Sequence, residues 1–132
     1  MATTTAAITL SSTDLTSDAL SLSKTATLTK AGTTTGLTQT GGLGRKTTAS
    51  DSEYTLFSAS DTQFSDNKAS KIYLLNTSST ATEYFIIEYG TTVVGRIYAG
   101  DWVLLPWAGT SDVNIIPSET TEMTLEYMII FE

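Results

Sequence analysis

The second half of the chain, from Lys71 to Glu132, is a series of short apolar runs cut apart by turn residues. The runs are Lys71-Ile72-Tyr73-Leu74-Leu75, Tyr84-Phe85-Ile86-Ile87-Glu88-Tyr89, Val93-Val94-Gly95-Arg96-Ile97-Tyr98, Trp102-Val103-Leu104-Leu105, Val113-Asn114-Ile115-Ile116, and Met123 to Phe131. They are rich in Ile, Val, Tyr, Phe and Trp, which fit a pleated, half-buried surface better than a helix face. Turn residues recur at intervals of about 8–12 residues, the spacing of an all-β sandwich or barrel. Gly90-Thr91-Thr92 joins two runs at hairpin length, and Ala99-Gly100-Asp101 predicts a second hairpin between Tyr98 and Trp102. No stretch longer than a turn or two has a helical period, and no internal repeat is visible.

Alternation is clearest in the last run. Met123, Leu125, Tyr127, Ile129 and Phe131 fall on one face, which is the expected core face. Thr124, Glu126, Met128 and Ile130 fall on the other, and its apolar members predict partial cover there too. Tyr84-Phe85-Ile86-Ile87 is apolar on both faces, a pattern that implies burial on both sides. One small sandwich leaves each sheet an outer face, so some outer faces are expected to meet other chains.

The first half reads differently. Residues 1–50 are dominated by Thr, Ser, Ala and Gly and have little apolar surface to offset an ordering cost of roughly 1–2 kcal/mol per residue. Ala7-Ile8-Thr9-Leu10, Leu20-Ser21-Leu22-Ser23 and Ala26-Thr27-Leu28-Thr29 nevertheless alternate, which predicts one or two short strands. Residues 32–44 read as a loop or extended arm, with Gly41-Gly42 too flexible for a rigid element. The expected division is a Thr/Ser/Gly-rich N-terminal arm over 1–50 and a β-sandwich domain over 51–132. Tyr54-Thr55-Leu56-Phe57 is a possible short strand at the start of that domain, and Ser65-Asp66-Asn67-Lys68 a turn.

Composition excludes several function classes. The 132 residues carry a net charge of −7, which nucleic-acid phosphates and anionic membranes repel. There is no cysteine for a disulfide or thiolate metal site, and no histidine for a Ser-His or Cys-His pair. Met1 to Leu10 has neither a basic start nor a long apolar core, so no signal peptide is expected. No apolar run approaches the roughly 18–20 residues that span a bilayer. A soluble protein made in a cytoplasm is the expectation, with no membrane and no nucleic acid among its partners.

Candidate chemistry is sparse. Asp101 with Trp102 and Trp107 is compatible with a sugar site, since indoles stack on sugar rings and a carboxylate binds hydroxyls. The plainer reading is a Gly-Asp turn flanked by tryptophans that anchor a core or an interface. Glu83, Glu88, Glu119, Glu122 and Glu126 offer carboxylates for a two-carboxyl hydrolase, but nothing fixes a separation between them. Asp51, Glu53, Asp61 and Asp66 do not have the spacing of a calcium loop. Gly41-Gly42-Leu43-Gly44-Arg45-Lys46 lacks the spacing of a phosphate loop. Its adjacent Arg45 and Lys46 are either a solvated loop or a docking contact to an acidic partner. No enzyme activity and no cofactor are expected.

Three segments carry a resemblance: Ile72-Tyr73-Leu74-Leu75-Asn76-Thr77, Ala99-Gly100-Asp101-Trp102-Val103-Leu104-Leu105-Pro106, and the closing Leu125-Glu126-Tyr127. In these, roughly over residues 70–132, the chain resembles the small head-decoration or minor structural proteins of tailed bacteriophages. The resemblance implies a jelly-roll-like antiparallel β-sandwich, a homo-oligomer with a trimer favoured, and attachment to the major capsid protein on the capsid exterior of a virion. It implies no catalytic residue. Candidate interface residues are Trp102, Trp107, Tyr84, Ile86, Arg45 and Lys46. The competing expectation is a carbohydrate- or receptor-binding β-domain of a tail fibre or surface protein, built on Trp102 and Trp107.

Overall fold

The computed structural model describes residues 3–64 and 69–132. It divides into two compact units, Met1–Thr38 and Gln39–Glu132. Among the described residues every regular element is a strand. The Ser65–Lys68 turn lies outside the described residues.

The first unit is a β-hairpin of β1 (Thr5–Ser12) and β2 (Leu20–Thr27), in register from Thr5 opposite Thr27 to Ser12 opposite Leu20. Period two puts Ala6, Ile8 and Leu10 on one face with Leu22, Lys24 and Ala26, and leaves mostly Thr and Ser on the other. At the tip, the Ser12 hydroxyl donates to Asp14 at 3.0 Å and accepts from the Leu15 amide at 3.1 Å. Beyond β2, a bridge between Thr29 and Gly36 closes a small loop, which turns at Gly32 with φ of 69°. Leu28 and Leu37 are buried, and the Leu37 amide donates to Leu28 O at 2.9 Å.

The second unit holds β3 (Gln39–Thr40), β4 (Gly44–Thr48), β5 (Tyr54–Phe57), β6 (Ser70–Asn76), β7 (Tyr84–Tyr89), β8 (Thr92–Tyr98), β9 (Trp102–Trp107), β10 (Val113–Pro117) and β11 (Met123–Phe131). The antiparallel pairs β7–β8, β6–β9, β5–β10 and β4–β11 are nested, like one long hairpin. Rolling that hairpin brings β6 beside β11 and β7 beside β10, and so closes two sheets. Their orders are β4-β11-β6-β9, with β3 continuing the β4 edge, and β5-β10-β7-β8. The result is a jelly-roll antiparallel β-sandwich. At the closed end of the hairpin the two-residue Gly90-Thr91 loop connects β7 to β8, with φ of 60° at Gly90.

Two expectations need correction. The sandwich begins at Gln39 and not at residue 51, because β3 and β4 pair with β11 through Phe131–Gln39 and Met123–Thr48. The chain breaks between them at Gly42, where φ is 81°. Ala99-Gly100-Asp101 is not a hairpin, because β8 and β9 belong to different sheets. It is a corner, held by the Asp101 carboxylate accepting the Tyr98 amide at 2.8 Å and by backbone bonds in both directions with Asn76.

Alternation fills the space between the sheets. β6 buries Ser70, Ile72, Leu74 and Asn76 and turns Lys71, Tyr73 and Leu75 outward. Met123, Leu125, Ile129 and Phe131 of β11 join them in one core with Phe85, Ile87, Ile97, Val113 and Ile115, and Tyr127 packs against it. Phe57, Phe64, Trp107 and Phe131 form an aromatic cluster, Phe64 meeting Phe131 edge-on at 5.2 Å and Trp107 at 5.5 Å. Each such fully buried side chain contributes about 1.5–3 kcal/mol.

Candidate interaction surface

The outer face of the β4-β11-β6-β9 sheet follows from the register. Glu126 lies opposite Arg45 on one side and Leu75 on the other, and Leu75 opposite Trp102. In the next row Met128, Tyr73 and Leu104 lie side by side, and in the third Ile130, Lys71 and Pro106. These positions are the alternates of Leu125, Ile129, Ile72, Leu74, Val103 and Leu105, which face the core. The sheet thus presents Tyr73, Leu75, Trp102, Leu104, Met128 and Ile130 away from its own core. Trp102 is 56% exposed, Tyr73, Leu75, Leu104 and Met128 are half-buried, and Ile130 is only 8% exposed.

Charges rim this apolar stripe. Arg45 reaches Glu126 at 3.5 Å with its side chain 70% exposed, a solvated pair that contributes little to stability. Tyr73 Oη donates to Glu126 at 3.5 Å. Desolvation first, and then the neighbouring Glu126 carboxylate, push the Tyr73 phenol above its ordinary pKa. Both effects keep the phenol neutral on the stripe.

The outer face of the second sheet is more mixed. Tyr84 and Ile86 lie there, opposite Tyr98 and Arg96. The Arg96 guanidinium sits 4.6 Å over the Tyr84 ring, and the Tyr84 and Tyr98 rings are 5.2 Å apart. Glu88 and Asn114 interrupt the apolar run.

The candidate residues therefore separate. Arg45 and Trp102 share the first outer face, and Tyr84 and Ile86 share the second. Lys46 pairs with the core residue Leu125 at the sheet edge, with its ammonium 5.2 Å over the Tyr54 ring. Trp107 is not an interface residue. It is 3% exposed, and its indole donates to Ser111 O at 2.8 Å. Trp102 and Trp107 are five positions apart on one strand, so they point to opposite faces and cannot form one stacking platform. Asp101, the carboxylate of that reading, is engaged by the Tyr98 amide.

Other candidate groups are tied up locally. Glu83 accepts from the Ser78 hydroxyl, and Asp61 accepts from the Gln63 amide at 3.1 Å. Among the described residues no three acidic side chains gather as metal ligands. Asp66 lies outside the described residues. A shallow recess of about 280 Å3 at the sandwich end is lined by Tyr89, Pro106, Trp107 and Thr110 among others. Its phenol is engaged, since Tyr89 donates to Pro106 O at 2.5 Å.

No protein-family model and no curated protein matches the chain. Among solved structures it is similar to a de novo designed double-stranded β-helix determined by solution NMR. The two share 14% identity over 69% of this chain and 99% of that one, at a TM-score of 0.41. The jelly-roll assignment stands on the strand pairings themselves.

Proposed function

We propose that this chain is a virion structural protein, a decoration protein that binds the outer surface of a phage head and stabilises it by bridging capsid subunits. The observation that carries the reading is the apolar outer face of the β4-β11-β6-β9 sheet. Strand spacing gives that face a footprint on the order of 400 Å2, its charged positions included. That is about half of the roughly 800 Å2 that each partner contributes to a standard interface. Stable attachment therefore calls for several copies acting together, which favours an oligomer such as a trimer on the particle. The net charge of −7 suits a particle exterior better than a DNA-facing interior.

The test uses purified protein and heads stripped of their decoration. The protein should co-sediment with the heads and raise their melting temperature. Trp102→Ala and Leu104→Asp should abolish both effects while the sandwich stays folded. Failure to bind such heads would refute the reading. The second reading, a carbohydrate- or receptor-binding domain, now rests on exposed Trp102 without Trp107. Glycan binding that disappears in Trp102→Ala would favour it.

A further inference from the structure

The β1–β2 hairpin has a covered interior on neither side. Ile8 is 40% exposed, Leu10 46% and Leu22 37%, and all three share one face. A lone two-stranded ribbon is marginal in water, because neither face is shielded and half its backbone groups point outward. The bond from the Leu28 amide to Thr4 O fixes which groups these are. Alternation from that pair leaves the amides and carbonyls of Thr5, Ala7, Thr9 and Ser11 directed away from β2, and those of Ser21, Ser23, Thr25 and Thr27 directed away from β1.

Natural edge strands carry guards: prolines, bulges, or charges spaced along the edge. These edges run eight residues without a bulge or proline, and Lys24 is their single charge. The charge pattern points to the occupant. Residues 1–38 contain Asp14, Asp18, Lys24 and Lys30 and are neutral, so the whole −7 belongs to residues 39–132. Sandwiches of two copies repel, whereas their hairpins can meet without electrostatic penalty. An anionic lipid surface fits poorly, with one lysine on the apolar face and Asp14 and Asp18 at the tip.

We propose that the hairpin is a self-association element, pairing edge to edge with the hairpin of a second copy so that the two apolar faces become one. Antiparallel pairing about a two-fold axis lets the same edge serve both partners and sets Ile8 and Leu10 beside their counterparts. The proposal does not depend on what the sandwich binds.

The test is the solution mass of the full chain by light scattering, with the fluorescence of Trp102 and Trp107 reporting on the sandwich. The parent chain should have twice the single-chain mass of 14.1 kDa. Leu10→Asp places a charge on the shared face. Thr9→Pro and Ser23→Pro remove an outward amide from β1 and β2 respectively, leaving the β1–β2 bonds in place. The mass should fall to 14.1 kDa in Leu10→Asp and in at least one proline variant, with sandwich unfolding unchanged. A monomeric parent chain, or any other pattern among the three variants, overturns the proposal. Trp102→Ala should leave the mass as it is, which separates this result from a failure of the head-binding reading.

Discussion

Replacing Asn76 with alanine should destabilise the sandwich by about 3 kcal/mol, taking about 1 kcal/mol for each of its side-chain hydrogen bonds. Asn76 is fully buried at the end of β6. Its amide donates to Glu83 O at 3.3 Å and to Ile97 O at 3.2 Å, and its Oδ1 accepts from the Ser78 amide at 3.0 Å. Its backbone is bonded to Asp101 and Gly100 in turn, each at 3.0 Å. One side chain thus ties the β6–β7 connection and β8 together at the corner where the chain changes sheets. Alanine would leave two carbonyls and an amide without that partner, and an orphaned buried group costs about 1–3 kcal/mol, so 3 kcal/mol is a central figure. In a domain of this size that is about 12–24 °C in Tm. Urea unfolding followed by tryptophan fluorescence should show a lower midpoint with the slope preserved. Asn76→Asp keeps the acceptor for Ser78 but turns a carboxylate toward two carbonyls. It should be at least as damaging at neutral pH, and its deficit should shrink as acid restores a donor. A loss below about 1 kcal/mol for Asn76→Ala, with the slope unchanged, would refute the idea that this residue pins the corner.

Further perturbations test other parts of the structure. Deleting residues 1–38 should leave a sandwich with an unchanged Tm, whereas deletion to residue 45 should lower it by removing β3 and opening β4. Trp107→Ala should cost about 3–5 kcal/mol, while Trp102→Ala should stay within about 0.5 kcal/mol, both read from urea unfolding followed by circular dichroism. Gly44→Ala should destabilise by about 1–3 kcal/mol through overpacking, since its Cβ would meet Tyr127 Cζ at 3.0 Å. Burial raises the Tyr89 phenol pKa. Its contribution is therefore complete below the ordinary tyrosine value near 10 and is lost as pH rises through the higher folded value. Tyr89→Phe should lower stability at neutral pH and flatten that alkaline decline, measured as Tm against pH.

Side-chain alternation made much of the fold legible. The core set of β11, the strand at Tyr54–Phe57 and the alternation of the first unit all follow from period two. What it could not reveal is backbone pairing without apolar content. β4 is Gly-Arg-Lys-Thr-Thr, and its one buried side chain is Thr48, so its place beside β11 leaves no hydrophobic trace. The corner at Gly100 was equally hidden. A three-residue connection fits a hairpin or a change of sheet, and the distinction lies in bonds to Asn76, more than twenty positions away. The tryptophans are different. An odd separation on one strand already sends Trp102 and Trp107 to opposite faces, so their division between surface and core was present in the sequence.

The same parity bears on why the outer face of the first sheet is apolar. A sandwich is closed when one face of each sheet is covered, and Ile72, Leu74, Leu125 and Ile129 already do that for β6 and β11. Polar residues at the alternate positions would serve folding equally well and solubility better. The second sheet follows that pattern in part, with Glu88, Asn114 and Thr55 on its outer face. The first sheet instead places Tyr73, Leu75, Leu104, Met128 and Trp102 there, on central strands and on β9 alike. Core formation does not account for these side chains, and Trp102 has little to gain from the fold at 56% exposure. Tyr73, Leu75, Leu104 and Met128 are half-buried, and the surface they and Trp102 leave in water is covered only by something outside the domain. Substituting them with Thr or Lys should therefore leave the denaturation midpoint close to the parent value and remove binding to a particle. A matching loss of stability would show that the face belongs to the fold itself.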